Sequence, residues 1–428
     1  MAGWNATGKN DAAVTHLAKL RVVAHYLESL EATANDDLFL MVDGYDVLMQ
    51  FGPDVLVERY FAAVAIEDER IIQQLGPANA ERVAGPLGRH IFFGADKVCW
   101  PIDWRRPACW AVPDAPHMDK NEFGPFTDNG DMTFNRPRWL NSGTILGPIK
   151  EVREMFQATL TYINKTYDAE YEFKESDQFY LSEVWGEQEV DRIAAQLAEN
   201  PEESVMQAEE GRFQPELVPG HKYNYHIAID YASDIFQPWA GNERWIEWYK
   251  FNGPRYSITV NDNFRNIPDF KPWELHMQGD TLKSLDRIFR STPELAVGNK
   301  SNLLIHRSAF GANFVTKKTF PVYHCTGPKD ALDHIWPRMW FFPYAEALVR
   351  ATLTAGRGGE PFAPYAIDNR IWYAARQYPK EVGLNDGGAW SDGSDEKGVV
   401  EWLSFDGMCE GHRDVLFGEE TKVTSPRN

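Results

Sequence analysis

The chain has 428 residues, and its 43 Lys and Arg against 63 Asp and Glu leave a formal charge of −20. That length suits two to three domains, or one large α/β domain with insertions, and a core of that size needs no cross-links, so the four cysteines are not a small disulfide scaffold. The acidic balance argues against a nucleic-acid partner, which calls for clustered Lys and Arg. No apolar run approaches the roughly 18–20 residues of a membrane span, and the first 30 residues hold no signal-peptide core. Fifteen Trp suit a large core first and carbohydrate stacking second.

The opening Met-Ala-Gly-Trp-Asn-Ala-Thr-Gly reads as loop, with no strand ahead of the first helix. That helix is predicted over Ala12 to Leu30, where Val14, Leu17, Leu20, Ala24, Leu27 and Leu30 recur at three- and four-residue spacing. A polar turn at Asn35-Asp36-Asp37 leads into Leu38-Phe39-Leu40-Met41-Val42, a short apolar run of the kind buried in a parallel sheet. It stops on Asp43-Gly44-Tyr45-Asp46. Pro53 to Glu69 reads as helix and Ile91-Phe92-Phe93 as another buried strand, an alternation that indicates an α/β sheet with crossover helices.

Cys99 to Arg138 is rich in Pro, Trp, Asp and Asn, a long loop of the functional or mobile kind. Leu140 to Gly147 reads as a strand and Lys150 to Tyr167 as a helix. Glu175-Ser176-Asp177-Gln178 opens a further helix, its acids at the N-terminus where the dipole favours them. Val190 to Arg212 reads as a solvated acidic excursion, Tyr225 to Phe236 as short strands, and 240 to 300 as an insertion. Leu303-Leu304-Ile305-His306 and Phe320 to His324 are strand-like. Beyond about 345 the sequence offers one helix and a Gly/Asp-rich tail.

In open α/β sheets the ligand sits outside the carboxyl ends of the strands. Asp43 and Asp46 stand at such an end, three residues apart across a Gly-containing bend, where two carboxylates could face one hard cation such as Mg²⁺ or Mn²⁺. A satisfied Asp in an ordinary Asp-Gly turn is the competing reading.

Val42-Asp43-Gly44-Tyr45-Asp46-Val47 resembles the Asp-x-x-Asp signature of the glycosyltransferase domain of procollagen lysyl hydroxylases and related collagen glycosyltransferases. Four segments resemble that family in the same order: Ala95 to Pro101 its Cys-Trp-Pro segment, Leu140-Asn141-Ser142-Gly143 its Leu-Asn-Ser-Gly strand, Ser176 to Tyr180 its Asp-Asp-Gln helix start, and His324 to Lys329 its His-Gly-Asn-Gly-Pro segment. Ile229-Asp230 with Ile235-Phe236-Gln237 is a fainter echo.

The resemblance implies a GT-A-like, mostly parallel mixed sheet flanked by helices, and hexose transfer from a UDP-sugar with Mn²⁺ (or Mg²⁺) to a protein or glycan acceptor. Asp43, Asp46 and His324 would ligate the metal, two hard oxygens and an imidazole suiting Mn²⁺ better than Ca²⁺. Tyr45 would stack on uracil. Gly327, Lys329 and, more faintly, Lys19 would contact phosphate. Asp177 would be the catalytic carboxylate, as base, nucleophile or hydrogen-bond acceptor. Trp100, Asn141 and Gln178 would line the sugar or acceptor site.

Two departures stand out. Ser176 replaces the first Asp of the family's pair, and the βα unit that the family places before the Lys19 helix has no counterpart, Trp4 being its candidate remnant. The expected division is 1–240 for the nucleotide-sugar domain, 241–300 for the insertion, 301–344 for return strands with His324, and 345–428 for a C-terminal extension. Cys99 and Cys109 flank a turn-rich segment and could pair in an oxidising compartment, consistent with the family's place in the secretory pathway. Asn5, Asn164 and Asn299 head glycosylation triplets. Cys325 and Cys409 read as ordinary thiols. Two alternatives remain open: an inactive nucleotide- or glycan-binding homologue, and a non-haem iron oxygenase using the His117-x-Asp119 spacing.

Overall fold

A computed structural model describes residues 8–199, 217–261, 271–296, 301–357, 359–374, 388–392, 400–409 and 411–418. It is a mixed α/β fold with several sheets, none closed into a barrel among the described residues. The central sheet has the order β1-β4-β3-β5, with β1 Leu38–Val42, β3 Ile91–Asp96, β4 Trp139–Pro148 and β5 Ile227–Ile229. A second sheet orders β2-β12-β6, with β2 Val47–Met49, β6 Phe236–Pro238 and β12 Val322–His324.

Strand direction departs from the expectation. β4 runs antiparallel to both β1 and β3, and only β3 with β5 is a parallel pair in the central sheet. The run 38–42 is therefore an antiparallel strand, and only Met41 in it is fully buried. An apolar run of five residues carries no signal of its neighbour's direction. β4 is buried at all ten positions, as a strand between two others with helices packed on it must be.

The first helix, α1 (Leu17–Ser29), begins five residues later than expected, because residues 8–16 are spent in turns. It packs with α3 (Ile149–Thr166) and α4 (Asp177–Glu199) on the central sheet, burying Leu20, Leu27, Phe93, Ile145, Phe156, Leu181 and Trp185 in one core. α2 (Pro53–Leu75), started by Pro53 at its first turn, packs Leu56, Tyr60 and Val64 against Phe92, Leu146 and Phe236. α4 runs through the segment read as a solvated excursion as far as Glu199, with Arg192 completely buried on Glu189 and Asn224; residues 200–212 of that reading lie outside the described residues.

A further core joins Phe51, Trp245, Phe251, Leu285, Phe310 and Phe314. It contains β7 (Ile246–Tyr249) hydrogen-bonded to β10 (Phe310–Asn313), the paired β8 (Ser257–Val260) and β9 (Trp273–His276), and α5 (Gly279–Ser291). The break expected at residue 300 thus falls inside a sheet and a core. Leu303-Leu304-Ile305-His306 is helical, within α6 (Ser301–Arg307), not a strand; Leu304 and Ile305 are buried, and a four-residue apolar run fits a buried helical turn equally well. After 345 the chain forms the expected helix (Ala345–Arg357) and, beyond it, a strand pair, Gly388–Asp392 with Val400–Ser404, and two further short helices, Phe405–Cys409 and Arg413–Phe417. No helix among the described residues is long and apolar enough to cross a membrane.

Candidate metal centre

β1 ends at Val42, and the bend 43–46 carries the chain straight into β2 of the second sheet. β2 pairs antiparallel with β12 so that Val47 lies opposite His324. The backbone N–H of Cys325 donates to the Asp46 carbonyl at 2.8 Å, and the N–H of Asp43 donates to the Gly143 carbonyl at 2.9 Å. Two sheets are thus stitched together at this bend.

The stitching converges three side chains. His324 Nε2 lies 3.2 Å from Asp46 Oδ2 and 3.9 Å from Asp43 Oδ2, and one ligand atom from each of the three falls within 4.8 Å of the others. Asp46 and His324 are buried, while Asp43 opens partly to solvent. A divalent cation fits this group. Its donors are two hard oxygens and one imidazole, and the floor of the site is kept clear by glycine: a Cβ on Gly143 would stand 2.0 Å from His324 Cε1 and 2.8 Å from Asp43 Oδ2. Gly143 ends the Leu-Asn-Ser-Gly segment, so that glycine is there for close approach.

Two lysines surround the acids. Lys19, on α1, places Nζ 2.8 Å from Asp43 Oδ1 and 2.5 Å from Asp177 Oδ2, joining the bend to the first residue of α4. Burial alone would lower its pKa, but Asp177 and Asp43 outweigh that and push it above the ordinary lysine value. Lys329, after the left-handed Gly327 (φ +88°), donates to Asp46 Oδ2 and to the Cys325 carbonyl. Burial opposes ionisation of Asp46, yet His324 and Lys329 together hold its carboxyl below the usual range. Tyr45 stands out into solvent at 79% exposure between the two acids.

Asn141 and Gln178 are both engaged by the strand behind the acids. Both turn their amide NH₂ groups onto Asp96, at 3.1 Å each, and Asn141 Oδ1 accepts from the Gly143 N–H while Gln178 Oε1 accepts from the Ser142 N–H. They brace the strand behind the acids; their polar atoms are spent inside the protein. Asp96 sits in the Ala95 to Pro101 segment, and nothing in its local sequence marks it as buried. Burial pushes its carboxyl up to about 6, against the two amide hydrogen bonds. Its neighbour Lys97 is also buried, donating to the Thr133 carbonyl at 2.6 Å and the Gly241 carbonyl at 3.1 Å, with its Nζ 3.6 Å from the centre of the Phe123 ring.

Trp100 is half-exposed beside Phe173, on a loop closed by the Cys99–Cys109 disulfide. Cys325 and Cys409 are free. His117 lies in a left-handed turn of the same loop region, and neither it nor Asp119 joins a metal-ligating group among the described residues, which removes the geometric basis for an oxygenase triad. Asn164 is exposed near the end of α3, whereas Asn5 and Asn299 lie outside the described residues. No known family model matches the chain, and no curated protein matches it either. What the residues themselves establish is a largely buried Asp/Asp/His group that could hold a divalent metal.

Proposed function

We propose that this chain is a metal-dependent glycosyltransferase of GT-A-like architecture, transferring a hexose from a UDP-sugar to a protein or glycan acceptor. The observation that carries the reading is the convergence of His324, distant in sequence, on Asp43 and Asp46, the three residues that the resemblance to collagen glycosyltransferases implies as metal ligands. Mn²⁺ or Mg²⁺ held there would supply Lewis-acid stabilisation of the charge that develops on the diphosphate leaving group.

The chain's own residues would divide the remaining work. Tyr45, exposed beside the acids, offers a face for the uracil ring. Gly327 and Lys329 would offer a backbone N–H and an ammonium to the phosphates. Asp177, anchored by Lys19, would accept a hydrogen bond from a sugar or acceptor hydroxyl. Trp100 would cover the sugar from the disulfide-closed loop. That disulfide supports action in an oxidising compartment, as in the secretory pathway.

The test is UDP release from a panel of UDP-sugars, with Mn²⁺ and with chelator. Mn²⁺-dependent release, abolished in Asp43→Ala and Asp46→Ala with the fold intact, is the expected result. UDP binding without any release from any donor would favour the inactive nucleotide-binding homologue instead.

A further inference from the structure

The two lysines at the acids are not equivalent. Lys19 takes Oδ1 of Asp43 and leaves Oδ2, the oxygen turned toward His324, free for another partner. It is also wedged between two carboxylates, with only 17% of its side chain exposed. Lys329 does the opposite. It takes Oδ2 of Asp46, the same oxygen that lies 3.2 Å from His324 Nε2, and 54% of its side chain is exposed. A cation shared by Asp46 and His324 needs that oxygen, and an ammonium bonded to it would face a double positive charge at near-contact distance.

We propose that Lys329 is a displaceable internal counter-ion: it neutralises Asp46 while the metal is absent, and an incoming divalent cation must evict it, whereas Lys19 stays in place. This rests on the metal reading given above. Eviction is sterically open, because the side chain leaves toward solvent and the Cys325 carbonyl it also holds lies on the adjoining turn. A charge-assisted hydrogen bond of ordinary strength lost on metal entry weakens the metal's affinity roughly tenfold.

Two readouts on the full chain decide this. Free Mn²⁺ is titrated by electron paramagnetic resonance against wild type, Lys329→Met and Asp46→Ala, with no nucleotide present. In parallel, amine labelling of Lys329 and Lys19 is quantified by mass spectrometry with and without Mn²⁺. The expected result is about tenfold tighter Mn²⁺ binding in Lys329→Met, and in wild type a rise in Lys329 labelling on Mn²⁺ saturation with Lys19 still protected. Equal or weaker Mn²⁺ binding by Lys329→Met overturns the proposal and leaves the metal site standing. So does Lys329 labelling that Mn²⁺ does not change, because a mere through-space charge effect would alter affinity without releasing the amine. If neither wild type nor Lys329→Met binds Mn²⁺ any better than Asp46→Ala, the metal reading itself fails, and the proposal with it.

Discussion

Replacing Gly143 by Ala tests the site through a single methyl group. The backbone there lies outside the left-handed region, so alanine meets no conformational penalty and acts only through space. Its Cβ would fall 2.0 Å from His324 Cε1 and 2.6 Å from Nε2, where ordinary contact begins near 3.4 Å. The imidazole must therefore retreat by about 1.4 Å, and metal–ligand distances tolerate only about 0.2 Å. The ring has little room, because His324 is 3% exposed and its strand is held by β2 on one side and β6 on the other. Overpacking of this kind costs about 1–3 kcal/mol of stability, and loss of one of three ligands should weaken Mn²⁺ binding by about 100-fold, or about 2.7 kcal/mol. Calorimetric Mn²⁺ titration and urea denaturation measure the two effects. The double variant Gly143→Ala, His324→Ala should recover most of the lost stability, since the clashing ring is gone, but none of the metal affinity. A folded Gly143→Ala protein that binds Mn²⁺ within threefold of wild type would show that His324 is not a ligand.

Three further outcomes follow from other parts of the same region. Reducing the Cys99–Cys109 bridge, which closes a loop of sequence separation 10, should lower stability by about 2–3 kcal/mol in chain-entropy terms, read as a shift of the urea midpoint with and without reductant; an unmoved midpoint would mean that the loop is held without it. Asp96 has its folded-state pKa raised from 3.8 to about 6, so its contribution is intact below pH 4 and is lost as pH rises through 6. Wild type should therefore lose on the order of 3 kcal/mol relative to Asp96→Asn between pH 4 and 7, and parallel stability curves would contradict the burial argument. Tyr45→Ala should leave stability within about 0.5 kcal/mol and Mn²⁺ affinity unchanged, while lowering Mn²⁺-dependent UDP affinity roughly tenfold, as loss of one base-stacking face does; undiminished UDP binding by calorimetry would remove Tyr45 from the nucleotide site.

What was legible in the sequence was mostly local. The abrupt end of an apolar strand on Asp43-Gly44-Tyr45-Asp46 marked the bend, Asp177 does open a helix, and Cys99 does meet Cys109. His324 was reached only through the resemblance, because nothing in its own neighbourhood says that β12 will lie against β2. Strand direction and the helical state of 303–306 were not legible, since both depend on partners far away in the chain and short apolar runs serve either structure. Asn141 and Gln178 show the same limit at the level of side chains. The sugar-site role that the resemblance implies for them says nothing of Asp96, which their amides satisfy, and that demand appears only once β3 and β4 are paired, with Gly94 opposite Asn141. Gly143 could have been suspected, as a glycine inside a strand that otherwise favours larger residues marks close approach.

The arrangement also explains how the chain can assemble a buried acidic site before any metal arrives. An unpaired buried carboxylate is costly enough to disfavour the folded state or to shift toward its neutral form. Here each acid of the site meets a cation in the folded protein: Asp43 and Asp177 share Lys19, and Asp46 has Lys329 with His324 behind it. At Asp96, which has amides but no lysine, burial raises the pKa toward neutrality. The comparison separates two ways of burying a carboxylate one strand apart. At Asp46 the contacts with His324 and Lys329 outweigh burial and favour the charged carboxylate, and with it the capacity to attract a divalent ion, whereas at Asp96 burial outweighs the two amide hydrogen bonds. A cation entering between Asp43, Asp46 and His324 therefore gains only the difference between its own attraction and that of the ammonium it replaces, so selectivity between metals at this site must come from the fixed spacing of two oxygens and one imidazole, which Gly143 and the pairing of β2 with β12 hold in register.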